Sequence, residues 1–337
     1  MPSGADPRRL LRRGLEAVAL LGALVAVVVL APGLGEVRRH LDHADPGWLA
    51  LALALEALSC ASYALIFRPV FCSRMSWRTT WEISWAELGM GSIVPASGLG
   101  GLALGAWILR RGGMPAEKIA RRSVAFFLLK GSVNFAAVVA IGGLLAVGVI
   151  GPDQPLWLTA LPAVLALALI LGVASLGRLG EPERPDPGTA RARRWWTHTR
   201  RALVGGVREA VALLRGGERA LFVGIVGYWA FDNAVLWATY HAVGASPALS
   251  VILIGYLIGQ LGGLLPLPGG IGGIDGGLVG TLVVYGAPAG ATAAAVIAYR
   301  LILFWLPLLV GVFAFWSLRR GLNQPDRPDL CYTPAPA

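Results

Sequence analysis

"LLPLPGGIGGIDGG", Leu264 to Gly277, holds two prolines, six glycines and an aspartate inside an apolar run that begins at Leu249. Proline removes a backbone donor and glycine loosens the chain, so a regular membrane helix cannot pass through this stretch. Lipid cannot satisfy the backbone groups left over. Irregular chain survives at membrane depth only when it is enclosed by protein or lines a wet cavity. The stretch therefore reads as the tip of a helical hairpin that enters the membrane and returns.

The surroundings are those of a polytopic membrane protein. Of 337 residues 56% are hydrophobic and 14% charged, and the mean hydropathy is +0.66; so little polar surface cannot cover a soluble globule of this size. Apolar runs recur at Gly14 to Ala31, Trp48 to Phe67, Ser123 to Ile150, Leu156 to Leu176, Ala220 to Val243, Leu249 to Leu265 and Ala293 to Leu318. Each approaches or exceeds the roughly 18 to 20 residues that cross hydrocarbon. The first follows "RRLLRR", but Val29-Leu30-Ala31-Pro32 offers no small-x-small cleavage site, so a retained helix is expected. Cys60, Cys72 and Cys331 make neither a disulfide framework nor a metal pattern.

The net charge of +10 does not point to nucleic acid, because 25 of the 29 Lys and Arg fall in five clusters between apolar runs. The clusters are Arg8 to Arg13, Arg68 to Arg78, Arg110 to Arg122, Arg178 to Arg219 and Arg319 to Arg327. The positive-inside rule places all five, and both termini, on the cytoplasmic side of a bacterial plasma (inner) membrane. The stretch Trp81 to Ser97 starts beside Arg78 on that side and ends in "VPASGLGG", and Leu102 to Leu109, too short to cross, runs back into Arg110 and Arg111; together they make a first re-entrant hairpin. Leu249 to Tyr285 starts and ends outside, as a second.

A shift of 173 residues superposes the two breaks. Pro95 falls on Pro268, Gly100 on Gly273, Gly113 on Gly286, Pro115 on Pro288 and Ala116 on Ala289. Since the hairpins enter from opposite faces, the halves are expected to be inverted repeats, a transporter plan. The expected fold is all-α, with about six full spans plus two hairpins. A first membrane repeat takes residues 1–178, a cytoplasmic basic linker 179–218, a second membrane repeat 219–320 and a disordered tail 321–337.

Glu56, Glu82, Glu87, Lys130, Asp232, Asp275 and Arg300 lie in or near apolar segments. At about 2.5–3.5 kcal/mol for each central charge, facing lipid would cost on the order of 20 kcal/mol together. They are therefore expected to face the interior, a cavity or, for Glu82, the interface. Asp275 and Arg300 are natural partners, and Glu87 is the expected counter-charge of Lys130. Asn134 lies one turn beyond Lys130 on the same helix face. The pairs either lock helices together, or Lys130 and Arg300 line a central site suited to a phosphate head group, or Glu87, Asp232 and Asp275 bind a proton or a cationic head group, which leaves the substrate's charge open. The broken tips, Pro95, Gly100 and Gly101 in one half and Pro268, Gly269, Gly270, Gly272 and Gly273 in the other, would aim helix N-termini at a phosphate site. The same glycines also serve close helix packing.

Other signals carry less. "GLGGLA" lacks the strand context of a dinucleotide fingerprint. His40 and His43, with Asp42 and Asp45, suit a short solvated loop better than a metal, and His198 and His241 stand alone. No nucleophile and base are recognisably paired, so no enzyme, cofactor or metal is expected. "RARRWWTHTRRALVGGVREAVALL" fits either a helix on an anionic leaflet or a solvated basic loop.

The closing segment, "LPLPGGIGGIDGGLVG" followed by "GAPAGATAAAVIAYRLILFWLPLLVG" (Leu265 to Gly311), resembles the lysylphosphatidylglycerol synthase transmembrane-region family, the flippase-like membrane proteins. The resemblance covers residues 14–320 and is most specific over 266–311, where Tyr299-Arg300 stand where the family has them. Two departures stand out. Gly101-Leu102 replaces the Gly-Glu pair that often follows the first break, and Asp275 replaces a glutamate. Members that synthesise the lipid carry a further soluble aminoacyl-transferase domain, for which 337 residues leave no room. The resemblance thus implies the lipid-moving half: a transporter of a phospholipid or polyprenyl-linked lipid in the bilayer. In it Lys130 and Arg300 would engage the phosphate, and Asp275 would hold Arg300 between cycles. The alternatives are an accessory scaffold for a partner lipid-modifying enzyme, or a membrane-embedded lipid-phosphate enzyme.

Overall fold

A chain in lipid must close its backbone hydrogen bonds within itself, which a helix does over its whole length. The computed structural model describes residues 35–93, 99–149, 155–180, 191–259 and 273–322, and every element within them is a helix. In chain order these are α1 (Gly35–Asp42), α2 (Pro46–Phe71), α3 (Trp77–Ile93), α4 (Leu99–Arg111), α5 (Ala116–Ala146), α6 (Leu156–Leu176), α7 (Arg191–Arg215), α8 (Arg219–Ala242), α9 (Leu249–Gly259), α10 (Gly273–Val284) and α11 (Ala289–Leu322). Five of them, α2, α5, α6, α8 and α11, are long and apolar enough to cross a membrane. The chain is an all-helical polytopic membrane protein. The expected first span, Gly14 to Ala31, lies outside the described residues, as do Pro95, Pro268, Gly269, Gly270, Gly272 and the tail from 323.

The break read from the opening stretch, at 260–272, lies outside the described residues, and a short helix stands on each side of it. With 11 and 12 residues, α9 and α10 reach about 16–18 Å each, roughly half the hydrocarbon thickness. They pack on each other. Gly255 faces Leu282 and Gly259 faces Leu278, so position rises on one helix as it falls away from the break on the other, and the two run antiparallel. A β-carbon at Gly277 would stand 2.8 Å from the Gly259 carbonyl oxygen, so only glycine admits this approach. At the first break the Glu87 carbonyl of α3 presses on Gly101 of α4 in the same manner.

The 173-residue shift holds in local geometry. Gly113 and Gly286 both take positive φ, 88° and 94°. After α4, Gly113 N–H donates to Arg110 O and Met114 N–H to Leu109 O; after α10, Gly286 N–H donates to Val283 O and Ala287 N–H to Leu282 O. Each carbonyl is displaced by 173 from its counterpart, and each turn is a glycine-terminated helix cap of the double-bond kind. Both turns then lead through Pro-Ala into a long helix, α5 or α11.

The chain folds into two compact units, each drawn from both halves of the sequence. Unit 1 holds residues up to Cys60, Trp85–Leu104 and Ala230–Trp316; unit 2 holds Ala61–Ser84, Gly105–Trp229 and the chain from Ser317. In unit 1, Gly89 of α3 meets Pro307 and Gly311 of α11, and Asp45 caps α2 by accepting from Gly47 N–H at 2.6 Å. In unit 2, Phe67 stacks on Phe71 at 4.5 Å and Tyr63 meets Phe126 edge-on at 4.9 Å. Arginines close helix C-termini there: Arg122 donates to Val70 O of α2, and Arg208 of α7 donates to Gly177 O and Leu179 O just past α6. Arginines of the clusters read from the sequence thus satisfy orphan carbonyls.

Candidate functional site

Unit 1 concentrates buried polarity among four helices. Asp232 of α8 is 7% exposed, and both its carboxylate oxygens are engaged. Oδ1 accepts from the Tyr299 hydroxyl of α11 at 3.0 Å, and Oδ2 accepts from the Tyr256 hydroxyl of α9. Two phenols donate to the acid, an arrangement that ties α8, α9 and α11 through directional bonds.

The next residue along α11 does something different. Successive helical side chains diverge by about 100°, so while Tyr299 turns to Asp232, Arg300 turns to α10. There its Nε donates to Asp275 Oδ1 at 2.6 Å. The pair expected from the sequence is formed, with side chains only 15% and 16% exposed. Asp275 also lies in the first turn of α10, where the helix dipole favours an anion. One carboxylate therefore occupies both positive features of this corner, the guanidinium and the helix N-terminus.

A second acid lies within electrostatic reach of Asp232. Glu56 of α2 is buried; its Oε1 accepts from the Cys60 thiol at 3.4 Å, and its Oε2 has no hydrogen-bond partner among the described residues. Tyr256, Glu56 and Cys60 were not among the expected site residues. Glu56 was visible as a charge in an apolar run, but nothing local paired it with α8, and Tyr256 gives no signal beyond a hydroxyl in a hairpin arm.

Lys130 belongs to unit 2 and is held by rings. Its Nζ stands 5.6, 5.4 and 5.3 Å from the centroids of Tyr63, Phe127 and Tyr228, within cation–π range of all three. Asn134, one turn further along α5, keeps its Oδ1 buried without a hydrogen-bond partner among the described residues. Lys130 thus meets π faces supplied by α2, α5 and α8, which the sequence reading did not include. Glu87, expected to be its counter-charge, is buried. Gly100 is buried near the start of α4, and Gly273 opens α10.

The structure regroups the histidines. His241, read as isolated, shares a cleft of about 670 Å³ with His40, His43 and Trp48. Each Nδ1 meets a main-chain carbonyl at 2.9 Å: His40 that of Val243, His43 that of Arg39 and His241 that of Trp237. Because a carbonyl only accepts, each Nδ1 carries the proton. Among the described residues no group of three or more His, Cys, Asp or Glu is arranged to hold a metal ion.

The chain has two similar proteins in Methanothermobacter thermautotrophicus, both described as "UPF0104 membrane protein". One is 27% identical over 334 residues, covering 90% of this chain and 94% of the relative. The other is 26% identical over 317 residues, covering 86% and 91%. Residues 17–311 match the family described as "Lysylphosphatidylglycerol synthase TM region", a span that takes in both hairpins, Asp232 and the Asp275–Arg300 pair, and the chain belongs to that family.

Proposed function

We propose that this protein moves an anionic lipid, a phospholipid or polyprenyl-linked lipid, between the leaflets of a bacterial plasma membrane by alternating access. The observation that carries the reading is the Asp275–Arg300 pair at the start of a broken helix. A buried arginine held by a carboxylate is stable while no substrate is present, and a phosphate head group offers the same charge and oxygens that the guanidinium fork can also grip bidentately. The head group would displace Asp275 from Arg300 and from the N-terminus of α10 together. Return of Asp275 would release the lipid, so the aspartate acts as an internal stand-in for the substrate. The 173-residue correspondence supports two repeats, which we take to be inverted and to rock against each other about their hairpins. We read the protein as a transporter rather than an enzyme, with both termini cytoplasmic and the driving force supplied by a gradient or by lipid imbalance.

The test is leaflet exchange of a labelled anionic phospholipid in proteoliposomes. Arg300→Ala is expected to slow exchange by about tenfold or more, a loss of at least about 1.4 kcal/mol of transition-state stabilisation, with Arg300→Lys intermediate. Equal rates for wild type and Arg300→Ala would end the transport reading and favour a scaffold for a lipid-modifying enzyme.

A further inference from the structure

The basic linker contains a helix whose two halves are covered differently. On α7, Trp196, Leu203, Val207, Ala210 and Leu214 recur at three-, four- and seven-residue spacing and form one apolar stripe. From Val204 onward the helix is packed: Val204, Val207 and Ala210 are buried, and Gly205 and Gly206 admit Arg121 and Val124 of α5. Ahead of that point the same stripe emerges bare. Trp195, Trp196 and Leu203 are 66%, 63% and 46% exposed.

Two observations identify what covers them. The first is level: Arg208 bonds the carbonyls of Gly177 and Leu179, immediately past the end of the membrane-crossing α6. That tie puts α7 where a lipid bilayer ends. The second is chemistry. The exposed tryptophans stand in the run Arg191 to Arg201, which carries five arginines and no acidic residue; Arg201, 11% exposed, pairs with Glu117 of α5 and adds no attraction to the leaflet. Tryptophan prefers the head-group layer, and each arginine near an anionic leaflet adds attraction of about 1 kcal/mol.

We infer that the N-terminal half of α7 is a surface anchor, which lies in an anionic leaflet beside α6 and inserts Trp195, Trp196 and Leu203 below its head groups. The anchor ties the connection between the halves of the chain to lipid composition.

The experiment places a nitroxide label at Leu203→Cys, or at His198→Cys on the opposite side of the helix, in full-length protein whose three native cysteines are replaced. Samples are reconstituted in phosphatidylcholine with phosphatidylglycerol, or in phosphatidylcholine alone. The label at 203 is expected to favour collision with oxygen over a water-soluble nickel chelate only in the anionic bilayer, and to lose that preference in molar salt. The label at 198 should favour the chelate throughout. Replacing Trp195 and Trp196 by serine, both exposed and so outside the packing, should return the 203 label to water. The proposal is overturned if the 203 label is equally open to the chelate in both bilayers, as for a stripe reserved for a soluble protein. It is also overturned if that label stays in lipid without the tryptophans.

Discussion

The two membrane cations, Arg300 in unit 1 and Lys130 in unit 2, are both kept from lipid, but by different means. Arg300 is held by a carboxylate 2.6 Å away, whereas Lys130 sits among three aromatic rings at 5.3–5.6 Å. A carboxylate can be replaced by another anion, so an arginine held in that way can be handed to a substrate. Ring quadrupoles attract a cation but do not themselves exchange for an anion. The contrast can be tested by asking whether Arg300 exchanges its carboxylate for a substrate anion while Lys130 stays anchored among its rings.

The sharpest stability test concerns the acid beside the exchangeable pair. Asp232→Leu leaves the buried Tyr256 and Tyr299 hydroxyls without their acceptor, at about 1–3 kcal/mol each. The thermal midpoint in detergent should drop by several degrees, with Asp232→Asn falling less because it keeps one acceptor oxygen. A Leu variant as stable as wild type would mean that the phenols are satisfied elsewhere and that the cluster does not order α8, α9 and α11. Next in size is the hairpin contact. Gly277→Val drives a side chain against the Gly259 carbonyl and should cost about 1–3 kcal/mol by thermal unfolding. Gly276→Ala, one residue away with nothing within 4 Å of a β-carbon, should be neutral or mildly stabilising.

Asp275→Ala removes the stand-in anion. Retention of anionic lipid through purification, measured as lipid per protein, should rise by about tenfold in affinity, or about 1.4 kcal/mol, while leaflet exchange slows. Weaker retention would show that Asp275 positions Arg300 rather than competing for it. The smallest effect is expected at Lys130. Lys130→Met gives up cation–π attraction of about 0.5–2 kcal/mol, and Lys130→Arg keeps most of it. Exchange should fall much less than in Arg300→Ala. If Lys130→Met and Arg300→Ala slow anionic lipid equally, the division between exchangeable and anchored cations is lost.

Much of this was legible in the order of residues. Hydropathy and the spacing of Lys and Arg located the five spans seen among the described residues, because lipid imposes one rule on every crossing segment and the rule is local. The Gly-x-Pro-Ala turns showed the 173-residue shift before their hydrogen bonds did, and Asp275 and Arg300 were paired correctly because a charge in an apolar run demands an opposite charge nearby. What tertiary structure alone decided is which neutral groups complete each site. Tyr256 and Tyr299 converge on Asp232 from helices 43 residues apart in numbering, and Tyr63 and Tyr228 converge on Lys130 from farther still. A phenol or an aromatic ring carries no net charge whose absence of a partner would be conspicuous in a sequence, and its role follows only from which helices fold against one another.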